Sequence, residues 1–253
     1  MIQGWVRNGD IKIHYFDNSG KEESYTPLVI IPGLTESAED YEDVLLRLQP
    51  RRAVVISLRG RGRSDAPETG YSLEDHIRDI ESVIDQITLD EFAMFGFSRG
   101  VSYTLAYALK HKEKVKGLIL GDYPAVHESI QEGWADMIAA LPEWRGKPIL
   151  QRLSLDTLRR IEEESGEASP MGNLGDFTCP VLIIRGGREG ALMSDEDVES
   201  YLSEVPNARF TEMDTSGENL FPDNEEFVQT LQEFFESAGS CGDDPGKREE
   251  IGS

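Results

Sequence analysis

The stretch Phe92-Ala93-Met94-Phe95-Gly96-Phe97-Ser98-Arg99-Gly100-Val101 decides how this chain reads. Its first half is an apolar run of strand length, and Arg99 to His111 then continues as a helical segment. Between the two, Gly96, Ser98 and Gly100 keep the G-x-S-x-G spacing of a nucleophile elbow. A serine on a tight strand-to-helix turn projects its hydroxyl above the sheet. Glycines flank it because side chains would collide in so sharp a turn. The helix N-terminus behind the serine favours negative charge as it develops. The spacing alone is short. Its force comes from the strand before it and the helix after it, which the mechanism requires.

Upstream, the apolar run Leu28 to Ile31 ends at Pro32-Gly33-Leu34-Thr35. Acyl transfer needs two backbone N–H donors aimed at an oxyanion. One would come from Arg99, the residue after the serine, and the other from this loop, at Leu34. An ordinary Pro-Gly turn is the alternative reading of the loop.

Further out, short apolar runs alternate with amphipathic stretches. Gly4 to Asp17 reads as a hairpin with Asn8-Gly9 as a type I′ turn. Strands are predicted at residues 28–31, 53–58, 92–97, 115–120, 181–184 and 208–213. Helices are predicted at residues 38–48, 72–87, 99–111, 194–204 and 227–235, with Ser72 and Asp75 capping the second. Continuous apolar strands are buried on both faces, and their alternation with helices makes an α/β fold with a mostly parallel central sheet. Tyr123 to Thr178 breaks the rhythm with helical pieces at residues 130–141 and 150–164, punctuated by Pro124, Pro142, Pro148 and Pro170. It reads as a helical cap inserted between two strands. The core is then residues 1–122 and 179–238, and residues 239–253 read as a disordered acidic tail.

Composition excludes several classes. The chain has 253 residues, enough for one large core, and a net charge of −23. That charge argues against nucleic acid or an anionic membrane as a partner. No apolar run approaches the ~20 residues of a membrane span, and the first residues lack the apolar stretch of a signal peptide. Two cysteines, Cys179 and Cys241, cannot staple a chain of this size, which points to a reducing, cytoplasmic setting. Scattered histidines and no H-E-x-x-H predict no metal, and no glycine pattern predicts a nucleotide cofactor.

These features together resemble the α/β-hydrolase superfamily over about residues 1–237. The resemblance is carried by Pro32-Gly33, the turn Leu58 to Asp65, the elbow, Gly121-Asp122-Tyr123-Pro124 and Cys179 to Gly186. It implies eight strands and a triad in the order Ser, acid, His. The acid falls at Glu189, while Asp122 occupies a rarer acid position of the family. At the expected histidine this chain has Glu218. Its histidines are His14, His76, His111 and His127, and none follows the acid position. His76 and His111 read as structural, His14 lies in the hairpin, and His127 is the one candidate replacement base.

Two carboxylates at Glu189 and Glu218 cannot easily both ionise in contact, so they are expected to titrate as a coupled pair and to act as a weaker base. The resulting expectation is a serine hydrolase acting on a small carboxylic ester, thioester or lactone through a Ser98 acyl-enzyme. A hydrolase-like binding or signalling protein and a cofactor-free lyase or cyclase are the alternatives. Trp134, Met137, Ile138, Leu141 and Trp144 of the cap are the candidate substrate pocket.

Overall fold

Apolar side chains alternate between two faces along each central strand, and that alternation builds the core. The computed structural model describes residues 1–144, 146–168, 172–188, 190–216 and 225–239. Within them one sheet is formed by β1 (Ile2–Asn8), β2 (Ile11–Asp17), β3 (Leu28–Ile31), β4 (Ala53–Ser57), β5 (Phe92–Phe97), β6 (Val115–Gly121), β7 (Val181–Arg188) and β8 (Ala208–Ser216). Their order is β1-β2-β4-β3-β5-β6-β7-β8, with β1/β2 and β2/β4 antiparallel and all other neighbours parallel. This is the mostly parallel α/β sheet expected.

On one face, Val29, Ile31, Val54, Ile56, Met94 and Leu118 pack under α2 (Leu73–Gln86), α3 (Gly100–Lys110) and α7 (Asp195–Glu204). On the other, Leu28, Ile30, Val55, Phe95 and Ile119 meet α1 (Glu42–Arg47) and α8 (Glu225–Gly239), the latter through Phe227, Leu231 and Phe234. Period-two alternation in a sheet covered on both sides requires this division. Helix α2 starts as its sequence predicts: the Ser72 hydroxyl accepts from the Asp75 N–H, and the Asp75 carboxylate accepts from the Ser72 N–H at 3.1 Å. A buried ion pair anchors that helix. Arg59 donates from Nη2 and Nε to Asp79 at 2.6 and 2.7 Å, and the Asn8 amide donates to the same carboxylate at 2.8 Å.

Three local expectations change. The opening hairpin turns at Gly9-Asp10, because Asn8 pairs with Ile11. Gly9 has φ of 60° and Asp10 is not left-handed, so the turn carries one positive φ rather than the two of type I′. The predicted helix 38–48 begins as a 3₁₀ turn, Ala38–Tyr41, before α1. This tighter winding brings the Ala38 N–H to the Ser57 hydroxyl at 2.9 Å. Between β6 and β7 the chain forms α4 (Trp134–Ala139), α5 (Ile149–Arg152) and α6 (Leu155–Glu164). Helix α4 starts only after Gly133, whose φ is 88°, and the predicted second piece breaks where Ser154 caps α6 by accepting from the Thr157 N–H.

The register places the site. Ile31 lies opposite Gly96, Phe97 opposite Gly121, and Gly121 opposite Ile184. The C-terminal ends of β3, β5, β6 and β7 therefore line up at one edge. From β3 the chain moves to β4 on one side and later to β5 on the other, which makes the β3/β5 boundary a switch point where ligands of open α/β sheets bind.

Candidate active site

Ser98 sits at that boundary, with φ of 49°, a backbone conformation that non-glycine residues adopt chiefly where surroundings enforce it. Its N–H donates to the Gly121 carbonyl at 2.8 Å, so the end of β6 holds the turn. Gly100 explains the second glycine of the motif. A Cβ there would lie 2.5 Å from the Pro32 carbonyl oxygen and also against that of Ile31. The elbow and the end of β3 thus approach through backbone alone. Gly100→Ala is expected to separate them. Soluble, folded variant protein should then show Ser98 labelling by a fluorophosphonate reduced by about tenfold or more, since misplacement of roughly 1 Å can cost that much.

The loop after β3 is fixed from both directions. The Gly33 N–H donates to Glu36 Oε2 at 3.0 Å, and Arg61 Nε donates to the Leu34 carbonyl at 2.9 Å. Tyr41 O–H donates to Glu36 at 2.6 Å, and the Trp144 indole N–H lies 3.5 Å from the other Glu36 oxygen. Between these fixed peptides, the N–H groups of Leu34 and Arg99 have no protein acceptor among the described residues. They flank Ser98 at the C-terminal ends of β3 and β5. Glu36 was not singled out in the sequence, because its surroundings include a tryptophan 108 positions away.

Ser98 opens onto two cavities. One, of about 300 Å³, is lined by Gly33, Leu34, Glu36, Phe97, Asp122, Trp134, Ile138, Leu141, Trp144 and Leu192 among others. The second, of about 470 Å³, includes Leu34, Arg99, Tyr123, Glu128, Trp134 and Met137. Four of the five aromatic and aliphatic residues expected to form a pocket therefore share the first cavity with the serine, and Met137 lies in the second. The first cavity is chiefly apolar, as small-molecule sites are.

Of the expected acids, Glu189 and Glu218 lie outside the described residues. Asp122 does not. It is 1% exposed, has φ of 50°, and lines the first cavity with Ser98. Its carboxylate accepts from the N–H groups of Leu192 at 3.1 Å and Met193 at 3.3 Å. Burial pushes its carboxyl up from the ordinary range, against the opposing pull of those N–H groups and of Arg185. It holds the loop that follows β7.

The four histidines are all engaged elsewhere. His14 is bracketed by Gln3 and Ser57, His76 by Arg61 and the Ser72 carbonyl, and His111 faces Glu81. His127, the candidate replacement base, has Arg99 Nη2 at 3.1 Å on one ring nitrogen and the Ser102 hydroxyl at 2.9 Å on the other. No histidine lines either cavity. Burial, with the Arg99 charge, lowers His127 to about 3. Burial and Arg61 likewise push His76 well down. Both rings are therefore neutral when folded and protonate near 6.5 when unfolded. Below that value the unfolded chain binds more protons, so stability falls as pH drops from about 6.5 toward 3. Thermal unfolding is expected to shift downward across that window, and less steeply in His127→Gln. An unchanged slope would contradict a buried neutral ring.

Among the described residues no group of three or more His, Cys, Asp or Glu could hold a metal ion, and no helix is long and apolar enough to cross a membrane.

Ser98 at positive φ thus lies beside the N–H groups of Leu34 and Arg99, at the C-terminal ends of parallel strands. The chain belongs to the α/β hydrolase fold family, which matches residues 26–174. It is 28% identical over 120 residues to haloalkane dehalogenase 2 of Mycobacterium tuberculosis, covering 47% of this chain and 41% of that protein. It is 29% identical over 105 residues to 2-(acetamidomethylene)succinate hydrolase of Mesorhizobium japonicum, covering 41% and 38%. The matches thus span less than half the length of these curated relatives. Among solved structures, an esterase from Exiguobacterium antarcticum superposes with a TM-score of 0.76 at 23% identity, covering 93% of this chain and all of that one. The enol-lactonase from Burkholderia xenovorans superposes with a TM-score of 0.73 at 18% identity, covering 91% and 99%. At such identities the likeness concerns the fold.

Proposed function

We propose that this chain is a serine hydrolase of a small carboxylic ester, thioester or lactone, working through a Ser98 acyl-enzyme with an atypical triad. The observation that carries the reading is Ser98 at positive φ, opening onto an apolar cavity beside the unpaired N–H groups of Leu34 and Arg99. Ser98 Oγ attacks the acyl carbon and its proton passes to a base. The carbonyl oxygen becomes an oxyanion held by the two N–H donors. Collapse breaks the acyl–oxygen or acyl–sulfur bond and the leaving group takes the proton. Water then repeats the sequence on the acyl-enzyme and frees the acid. Fold relatives named as an esterase and an enol-lactonase support the choice of acyl substrate.

On this reading Glu189 is the acid, and Glu218, standing where the family expects histidine, is the base. An ordinary Glu near 4.3 is about two units below histidine, a deficit of roughly 3 kcal/mol in proton affinity. If the two share a proton, the higher of their coupled values moves toward neutrality and gives a slow base. Residues 123–178 act as a cap whose Trp134, Met137, Ile138, Leu141 and Trp144 form the substrate pocket. No cofactor takes part. The chain's acidity and two cysteines fit a cytoplasmic protein with a small-molecule substrate.

The test is hydrolysis of p-nitrophenyl acetate and butyrate by wild type and Ser98→Ala from about pH 4 to 9. Turnover that disappears in Ser98→Ala supports the reading. A rate flat between about pH 4 and 8 would argue against the coupled carboxylates. The absence of histidine from both cavities favours one second reading, a hydrolase-derived binding protein. Ligand binding without turnover would select it. Turnover that survives Ser98→Ala would point to lyase or cyclase chemistry on the pocket carboxylates.

A further inference from the structure

We propose that His127 is a positioning residue, whose side chain closes a hydrogen-bonded ring through Arg99 and Ser102 and ties the hinge of the β6–β7 connection to the nucleophile elbow. The proposal deepens the reading of Ser98 as nucleophile, on which its catalytic consequence rests.

The directions of the bonds follow from the chemistry of the partners. A guanidinium has only donors, so Arg99 Nη2, 3.1 Å from His127 Nε2, requires a lone pair there. A neutral imidazole with Nε2 as acceptor carries its hydrogen on Nδ1. That N–H faces the Ser102 hydroxyl oxygen at 2.9 Å and donates to it. The Ser102 O–H in turn donates to the Arg99 carbonyl at 2.9 Å. The ring thus leaves Arg99 through its side chain and returns to Arg99 through its backbone. Arg99 is 5% exposed, His127 1% and Ser102 0%, so water does not compete for these bonds. The depressed basicity of His127 keeps the ring in this one protonation state.

The backbone of His127 makes the second connection. Its N–H donates to the Ala168 carbonyl at 3.4 Å, and the Ala168 N–H donates back to the His127 carbonyl at 2.8 Å. Residues 127 and 168 flank α4, α5 and α6, where the chain enters and leaves that helical segment. Arg99 Nη2 also donates to the Glu128 carbonyl at 2.8 Å, extending the clasp by one residue along the chain. One residue therefore joins both ends of the helical segment to Arg99, whose own N–H lies beside Ser98 with no acceptor among the described residues. The ends of the helical segment and the backbone of Arg99 are thus held by one set of bonds.

The experiment compares wild type with His127→Leu, His127→Gln and Ser102→Ala. Nitrogen-15 NMR of the histidines reads the ring directly, and it needs no turnover. The expected wild-type result is a His127 protonated on Nδ1, bare on Nε2 and unchanged between about pH 5 and 8. Amide hydrogen exchange over residues 98–101 is expected to quicken in His127→Leu and to stay near wild type in His127→Gln, whose amide retains one donor and one acceptor. With p-nitrophenyl butyrate, His127→Leu should lower kcat by roughly tenfold to a hundredfold while KM changes little, and Gln should recover most of the loss. A merely structural histidine would lower thermal stability without this split or rescue. A His127 that titrates near 6.5 or carries its hydrogen on Nε2 would overturn the ring. So would a folded His127→Leu with wild-type exchange and kcat. If wild type neither hydrolyses esters nor labels at Ser98, the hydrolase reading fails alone, and the NMR and exchange results still decide the ring.

Discussion

Glu218→His is expected to raise turnover of p-nitrophenyl butyrate by about 10²–10⁴-fold over the wild-type chain, with Ser98 still required. The argument is one of proton affinity. The serine proton must pass to a group whose basicity suits neutral pH, and it must return to the leaving group. Imidazole, near 6.5, does both, whereas a carboxyl near 4.3 rarely accepts the proton and holds it weakly. The strand ends already hold Ser98 at positive φ, N–H groups of Leu34 and Arg99 without an acceptor among the described residues, and an apolar cavity. Steady-state kinetics of the single variant, and of Glu218→His combined with Ser98→Ala, checks this. A folded Glu218→His no faster than wild type would mean that residue 218 does not face the serine.

Asp79→Ala is expected to destabilise the fold by about 3–5 kcal/mol, because it strands a buried guanidinium. Asp79 is 0% exposed and accepts from Arg59 Nε and Nη2, from the Arg59 N–H and from Asn8. Those bonds join α2 to the turn after β4 and to the first hairpin. Removing the carboxylate leaves Arg59 with the Gly70 carbonyl at 2.6 Å and Asp75 at 3.8 Å, and with no partner for its second face. The double variant Arg59→Met with Asp79→Leu removes both charges together and should recover most of the loss, as replaced buried pairs often do. Chemical denaturation of the two variants separates the stranded charge from lost packing. Equal losses in both would assign the effect to packing.

The sheet was legible because its central strands are buried on both faces and so read as unbroken apolar runs. The elbow was legible because its glycines answer a backbone need, seen at Gly100 against the end of β3. The helical connection was less so. Its breaks depend on Gly133 entering left-handed and on Ser154 capping within what reads as one amphipathic run. Glu36 and the His127 ring were invisible for a different reason. Each depends on contacts between distant segments: Trp144 on Glu36, and the Arg99 side chain folding back on His127. Spacing along the chain carries no trace of either. Proximity to the elbow makes His127 look like a spare base, and its geometry makes it a brace.

The most direct test of the account is intact-mass analysis of the chain quenched during hydrolysis of p-nitrophenyl butyrate, followed by peptide mapping. The account predicts one butyryl adduct, located on Ser98, that forms and decays with turnover and is missing in Ser98→Ala. Turnover that persists in Ser98→Ala, or proceeds with no adduct on Ser98 while product forms in a pre-steady-state burst, would contradict it.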